Sequence, residues 1–88
     1  MAWTLTFAPE ALKDLKKIDK ASARRIVATL EERIASRDDP RMIGAALKGE
    51  HAGYWRWRIG DYRVIARVDD EKITILVVRV GHRRDVYR

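Results

Sequence analysis

The stretch "GYWRWRIGDYRVIARV", Gly53 to Val68, constrains this chain more tightly than any other part of it. Apolar and basic residues alternate on both sides of a Gly60-Asp61 pair. Alternation with a period of two is the pattern of a half-buried strand. A two-residue interruption with glycine first predicts a tight hairpin of the type II′ kind. Closing the hairpin there fixes the register. Ile59 lies opposite Tyr62, Arg58 opposite Arg63, and Trp57 opposite Val64. Opposed residues share a face. Trp55, Trp57, Ile59, Val64 and Ala66 therefore form one apolar face, with Tyr62 near its edge. Tyr54, Arg56, Arg58 and Arg63 form the other.

An apolar sheet face needs a cover, and the first half of the chain supplies one. "WTLTF", residues 3 to 7, reads as a strand with Trp3, Leu5 and Phe7 on one side. Pro9 suits the first turn of a helix, where its missing N–H costs nothing, and Glu10 adds a favourable charge there. From Glu10 to about Arg37 the apolar period becomes helical. Leu12, Leu15 and Ile18 make one stripe; Ile26, Val27, Leu30 and Ile34 make another. Asp19 or Ser22 can cap a second helix, which predicts a helical hairpin with its corner near Ile18 to Lys20; one long bent helix is the alternative. Pro40 stops the helix, and Met42 to Leu47 suits a short helical turn. "ITILVVRV" is the most apolar run and reads as a central strand. The closing "GHRRDVYR" suits a short edge strand. The order is strand, two helices, then three or four strands in a meander. The fold class is α+β in two layers, helices on one face of a mostly antiparallel sheet, as a single domain over residues 1–88.

The arginine face calls for a physical explanation. Like charges directly opposed in a sheet are destabilising. Gly53 to Val68 holds four arginines and one acid, and Val78 to Arg88 holds four arginines, one histidine and one acid. The chain as a whole carries a formal charge of +6. Guanidinium forks match phosphate oxygens, and an aromatic such as Tyr54 beside them suits base stacking. A nucleic acid is thus the first candidate partner. The plainer alternative is a set of solvated strand arginines, some paired with Asp61 or Asp85.

Other classes are poorly served. There is no cysteine, which fits a reducing compartment. The first residues lack the basic start and apolar run of a signal peptide, and no stretch approaches the roughly 18 apolar residues of a membrane span. The expectation is a cytoplasmic protein with no membrane role. No phosphate-cradling glycine loop, Ser-His-Asp pattern or metal-spaced His/Asp/Glu cluster is present, so neither a cofactor nor a metal site is expected. "RVGHRRDVYR" can add His82, Arg83, Arg84 and Tyr87 to the arginine face if the last strand lies beside the hairpin. Guanidiniums, a histidine and tyrosines suit RNA cleavage, because RNA brings its own nucleophile, the 2′-hydroxyl. Arginine neutralises charge on the phosphorane-like transition state, and histidine titrates near neutrality. An RNA-binding module without catalysis is the alternative.

The chain resembles the RelE/ParE superfamily of bacterial and archaeal type II toxins over essentially its whole length. The resemblance starts at "WTLTFAPEALKDLKKID". It continues through "LKGEHAGYWRWRIGDYRVIARVDDEKITILVVRVGHRRDVYR". Its motifs are Leu47-Lys48-Gly49, the basic pair Arg56 and Arg58, Gly60-Asp61-Tyr62-Arg63, and the final Val80-Gly81-His82-Arg83 with Val86-Tyr87. The resemblance implies a ribosome-dependent mRNA endonuclease that cuts in the A site of the 70S ribosome and leaves a 2′,3′-cyclic phosphate. It implies a cognate antitoxin from the same operon and a toxin–antitoxin complex that binds operator DNA. Arg58 takes the position of a lysine proposed as general base. Arg63 takes that of a phosphate clamp, and Arg83 that of the group assisting the leaving oxygen. Tyr87 takes that of a base-stacking tyrosine, and His82 sits beside Arg83 as a candidate for proton transfer. Lys48, Tyr54, Arg56 and Arg84 are expected to hold RNA. Two alternatives within the superfamily are a ParE-like inhibitor of DNA gyrase and an inactive relative that binds only its antitoxin.

Overall fold

The computed structural model describes residues 2–82. Its sheet contains β1 (Thr4–Phe7), β2 (Ala45–Ala46), β3 (Trp55–Ile59), β4 (Tyr62–Asp69) and β5 (Thr74–His82), in the spatial order β1-β5-β4-β3-β2. Helices α1 (Pro9–Lys17) and α2 (Lys20–Thr29) lie between β1 and β2 in the chain. The two-layer α+β reading holds, with four strands following the helices.

The helical corner forms where the sequence places it. Pro9 occupies the first turn of α1, and Glu10 adds its acid there. Asp19 caps α2, its carboxylate accepting the Ser22 N–H at 3.0 Å. That bond holds the Asp19 carboxyl below the usual carboxylate range. The helical run then widens into a π-helical turn over Leu30–Ile34, in which the Ala35 N–H reaches back to the Leu30 carbonyl at 2.7 Å.

The hairpin forms in the expected register: Ile59 opposite Tyr62, Arg58 opposite Arg63, Trp57 opposite Val64. Gly60 has φ 59°, while Asp61 stays at negative φ, the pattern of a turn with glycine required only at its first position. Trp57, Ile59, Val64 and Ala66 join Ala11, Ile26, Leu30 and Ile34 in one core. The Trp57 indole N–H donates to the Pro40 carbonyl at 2.9 Å, within the core, so its one polar atom is satisfied.

Several features depart from expectation. β1 pairs with β5 in parallel, which the long connection through both helices permits. Met42 to Leu47 does not form a helical turn of its own. Pro40–Ile43 is a 3-10 turn, after which Ala45 and Ala46 pair with Arg56 and Trp55. Gly81 and His82 continue β5 beside β4, beyond the reach of β1, which pairs only as far as Val77; the rest of "GHRRDVYR" lies outside the described residues. A bulge also interrupts β5. Ile65 pairs with Arg79 but Ala66 with Val77, so Val78 is the extra residue. A bulge shifts alternation by one. Ile75 and Val77 are buried before it and Val80 after it, an order that unbroken alternation does not produce.

Gly44 sits at the tightest approach in this layer. A Cβ there would stand 2.9 Å from the Trp57 indole nitrogen and 3.1 Å from the Arg56 carbonyl oxygen. Gly44→Ala is expected to cost about 1–3 kcal/mol through overpacking. The readout is a lower urea midpoint at unchanged slope; an unchanged midpoint contradicts this packing.

Candidate nucleic-acid interface

Strand alternation puts Tyr54, Arg56, Arg58 and Arg63 on the sheet face away from the helices. Ile65, opposite Arg56, is 5% exposed yet lies outside the helix-side core. It forms an apolar floor between Arg56 across the ladder and Arg63 two residues earlier. An apolar surround strengthens the field of nearby charges. Arg56 and Arg63 are half-buried and Arg58 is exposed. The Arg56 Nε is shielded from solvent with no hydrogen-bond partner. A buried donor without an acceptor costs about 1–3 kcal/mol, and a bound anion oxygen removes that cost.

Arg67 completes this face and was not singled out from the sequence. Its guanidinium lies 5.7 Å from the centre of the Tyr54 ring, within cation–π range. The signal was present: Arg67 continues the same alternation from Arg63 and Ile65. Lys48 is exposed in the loop after β2, whose ends are tied by the Leu47 N–H donating to the Tyr54 carbonyl at 3.0 Å. That tie brings Lys48 to the Tyr54 end of the face.

His82 does not join the arginines. It pairs with Tyr62, across from the core residue Ile59. Its ring meets Tyr62 edge-on, with centroids 6.1 Å apart at 79°. Both residues line an open cleft of about 490 Å³ with Asp14, Lys17 and Ile18 on the helical side. The cause is the bulge at Val78. Alternation counted from Ile75 puts His82 on the arginine face, and one extra residue turns it to the opposite side. Gly81 instead lies opposite Arg63. Arg83, Arg84 and Tyr87 lie outside the described residues, as does Asp85.

Asp14, Asp39 and Asp70 are engaged elsewhere. Arg41 donates through Nε to Asp39 at 2.9 Å and grips both oxygens of Asp70 at 2.7 and 3.0 Å. The Arg41 side chain holds the Asp39 carboxyl below its ordinary range. Asp39 and Asp70, far apart in sequence, are thus bridged by Arg41 beside the Asp69–Asp70 end of β4. Arg58 and Arg63 flank the opposite end. Asp14 accepts from Arg79 Nε at 2.8 Å and from the Val80 N–H at 2.9 Å. β1 pairs only as far as Val77, and this carboxylate takes over the β5 edge that β1 leaves open. Among the described residues, no ion pair reaches Arg56, Arg58 or Arg67, and Asp61 pairs with none of them.

Comparison with known proteins agrees with this architecture. Residues 5–87 match the model of the ParE toxin of the type II toxin–antitoxin system parDE. The toxin RelG of Mycobacterium tuberculosis is 38% identical, over 100% of this chain and 99% of its own. The mRNA interferase toxin RelE of Escherichia coli K12 is 32% identical, over 94% of this chain and 85% of its own. The structure superposes on the toxin–antitoxin complex RelBE2 of M. tuberculosis with a TM-score of 0.87, at 32% identity, covering 97% of this chain and 95% of that one. It also matches an E. coli RelE variant bound to an antitoxin peptide, with a TM-score of 0.72 at 28% identity, covering 93% and 84%. The fold and the basic hairpin define a small toxin of a type II toxin–antitoxin system. The chain belongs to the RelE/ParE toxin family.

Asp14 should therefore matter to the strand that leads into the candidate site. Asp14→Ala removes the acceptor for both Arg79 and the Val80 amide and is expected to cost about 1–3 kcal/mol. Asp14→Asn keeps one acceptor oxygen and should lose less. Hydrogen exchange at the Val80 amide reads this directly; equal protection in wild type and Asp14→Ala contradicts the assignment.

Proposed function

We propose that this toxin is a ribosome-dependent mRNA endonuclease acting in the A site. The observation that carries the reading is the opposed Arg58–Arg63 pair beside the unpartnered Arg56 Nε. The unsatisfied Arg56 donor costs the free protein stability and a phosphate oxygen would relieve it, while Arg58 and Arg63 side by side offer two guanidinium forks to the same anion. The relatives named RelE and RelG support the same branch of the family.

The chemistry needs no nucleophile from the protein. The 2′-oxygen of the nucleotide before the cut attacks the adjacent phosphorus and gives up its proton. The bond to the 5′-oxygen breaks, and that oxygen takes up a proton. The products are a 2′,3′-cyclic phosphate and a 5′-hydroxyl. Arg63 clamps the scissile phosphate, with Arg58 opposite it and Arg56 one pleat away. Their fixed positive charge offsets charge building on the non-bridging oxygens. Arginine stays protonated, so Arg58 acts here by charge rather than as a base. His82, on the other face, is not assigned the proton transfer. By resemblance, Arg83 assists the leaving oxygen and Tyr87 stacks on the base. Lys48, Tyr54 and Arg84 hold neighbouring RNA. A cognate antitoxin encoded with the toxin blocks it, and the complex binds operator DNA. The setting is the cytoplasm, where the 70S ribosome supplies the positioned mRNA.

A gyrase-inhibiting role is the second reading, favoured by the ParE description of the matched family model. Primer extension on mRNA in a reconstituted translation reaction, with and without ribosomes, separates the two. Cuts in A-site codons only with ribosomes are expected. Their absence with folded protein, together with loss of gyrase supercoiling, transfers the assignment to the second reading. Arg63→Ala should lower the cleavage rate by about 10²–10³-fold while the fold survives; near-wild-type cleavage contradicts the clamp. Tyr87→Phe should keep much of the activity and Tyr87→Ala should lose it, whereas equal loss assigns the role to the hydroxyl.

A further inference from the structure

Arg58 faces two ways. It belongs to the arginine face, and it also lines an open cleft of about 350 Å³ at the edge of the hairpin. The far wall of that cleft comes from α2 and the π-helical turn: Arg25, Thr29, Glu32 and Arg33. Arg25 and Arg33 are eight positions apart in the chain. A regular helix carries such a pair progressively off one line. The π turn advances more slowly around the axis per residue and brings Arg33 back toward the row that Arg25 and Thr29 begin.

Gly60 has a second role here. A Cβ on it would stand 3.4 Å from Arg25 Nη1, so the bare turn lets the Arg25 guanidinium lie directly against the hairpin tip. Among the described residues, no hydrogen bond or ion pair engages the guanidiniums of Arg25, Arg33 or Arg58. Glu32 stands at the cleft without an ion pair to any of them. Three guanidiniums thus line one solvent-open groove, which shares Arg58 with the arginine face.

We infer that Arg25 and Arg33 form a second phosphate-binding station, which takes RNA backbone leading away from the cleavage site around the hairpin edge. Arg58 is the hinge of this track, shared by both stations. RNA is favoured over an acidic protein segment because the groove shares Arg58 with the face proposed to hold the scissile phosphate. This inference rests on the RNA-directed reading above. It adds residues on the helical layer to a site otherwise built from the sheet.

The test is equilibrium binding of labelled single-stranded RNA to the full chain, measured over a range of salt. A trinucleotide reaches only the sheet site; a longer RNA reaches both. Each lost phosphate contact on single-stranded RNA lowers the salt slope by about 0.7. The double variant Arg25→Gln/Arg33→Gln should therefore lower the slope for the long RNA by about 1.4, while trinucleotide binding stays at the wild-type value. Glutamine keeps helix propensity close to arginine, and thermal melting verifies the fold. Unchanged affinity and slope for the long RNA overturn the station. Equal weakening for both RNAs overturns it too, since the effect is then general. Unchanged RNA binding with weakened antitoxin binding makes the groove a protein contact and also overturns it. A wild-type chain that binds no free RNA overturns the station alone; the RNA-directed reading is then decided separately by the ribosome-dependent primer extension. A chain that binds the long RNA with the expected slope change but cuts nothing leaves the station standing and removes only the nuclease reading.

Discussion

The Gly60 turn sets the rest of the molecule. Its positive φ closes the β3–β4 hairpin after two residues, and that closure decides which side chains face the helices. With this register, Trp57 enters the core opposite Val64, and the core of both layers builds around it. The same register forces Arg58 against Arg63. A slip of one residue would bury guanidiniums and expose tryptophans, so the apolar face holds the charged face in place. Packing on the other side of the sheet thus fixes where Arg58 and Arg63 stand.

Arginine serves two purposes in this chain, and the structure separates them by their partners. Arg41 ties the loop before β2 to the β4–β5 turn through Asp39 and Asp70. Arg79 and the Val80 amide share Asp14. These guanidiniums hold elements together. Arg56, Arg58 and Arg67 have no acid among the described residues, and one of them stacks on Tyr54. Asp14, Asp39 and Asp70 are thereby held away from the arginine face. A polyanion approaching the molecule meets a basic hairpin end and an acidic far end, a polarity that orients the encounter.

The parts of this design set by local chemistry were legible in the sequence. Gly60-Asp61 gave the hairpin and its pairing, Asp19 gave the helical corner, and alternation gave Trp57 and Ile59 to the core. What could not be read depended on residues distant in sequence. The parallel β1–β5 pair needs the helices to return the chain before it can exist. β2 is two alanines that become a strand only because β3 offers a free edge. The bulge at Val78 has no local signature in a run of valines, and it alone moves His82 off the arginine face. Nothing local marks Arg41 as a tie between elements, because its partner Asp70 lies 29 residues on. Arg67 was visible in the alternation and was passed over. Arg83, Arg84 and Tyr87, read from the family motif, fall outside the described residues.

The central claim is that arginines offset charge while the RNA itself supplies the nucleophile. The most direct measurement replaces the 2′-hydroxyl with hydrogen at the nucleotide before the mapped cut, in an mRNA programmed on ribosomes, and follows cleavage and the product ends. The account predicts that the all-ribose mRNA is cut to a 2′,3′-cyclic phosphate and a 5′-hydroxyl, and that the single deoxy substitution abolishes the cut at that position. Cleavage of the deoxy-substituted mRNA at an undiminished rate would contradict it, since the nucleophile would then come from elsewhere.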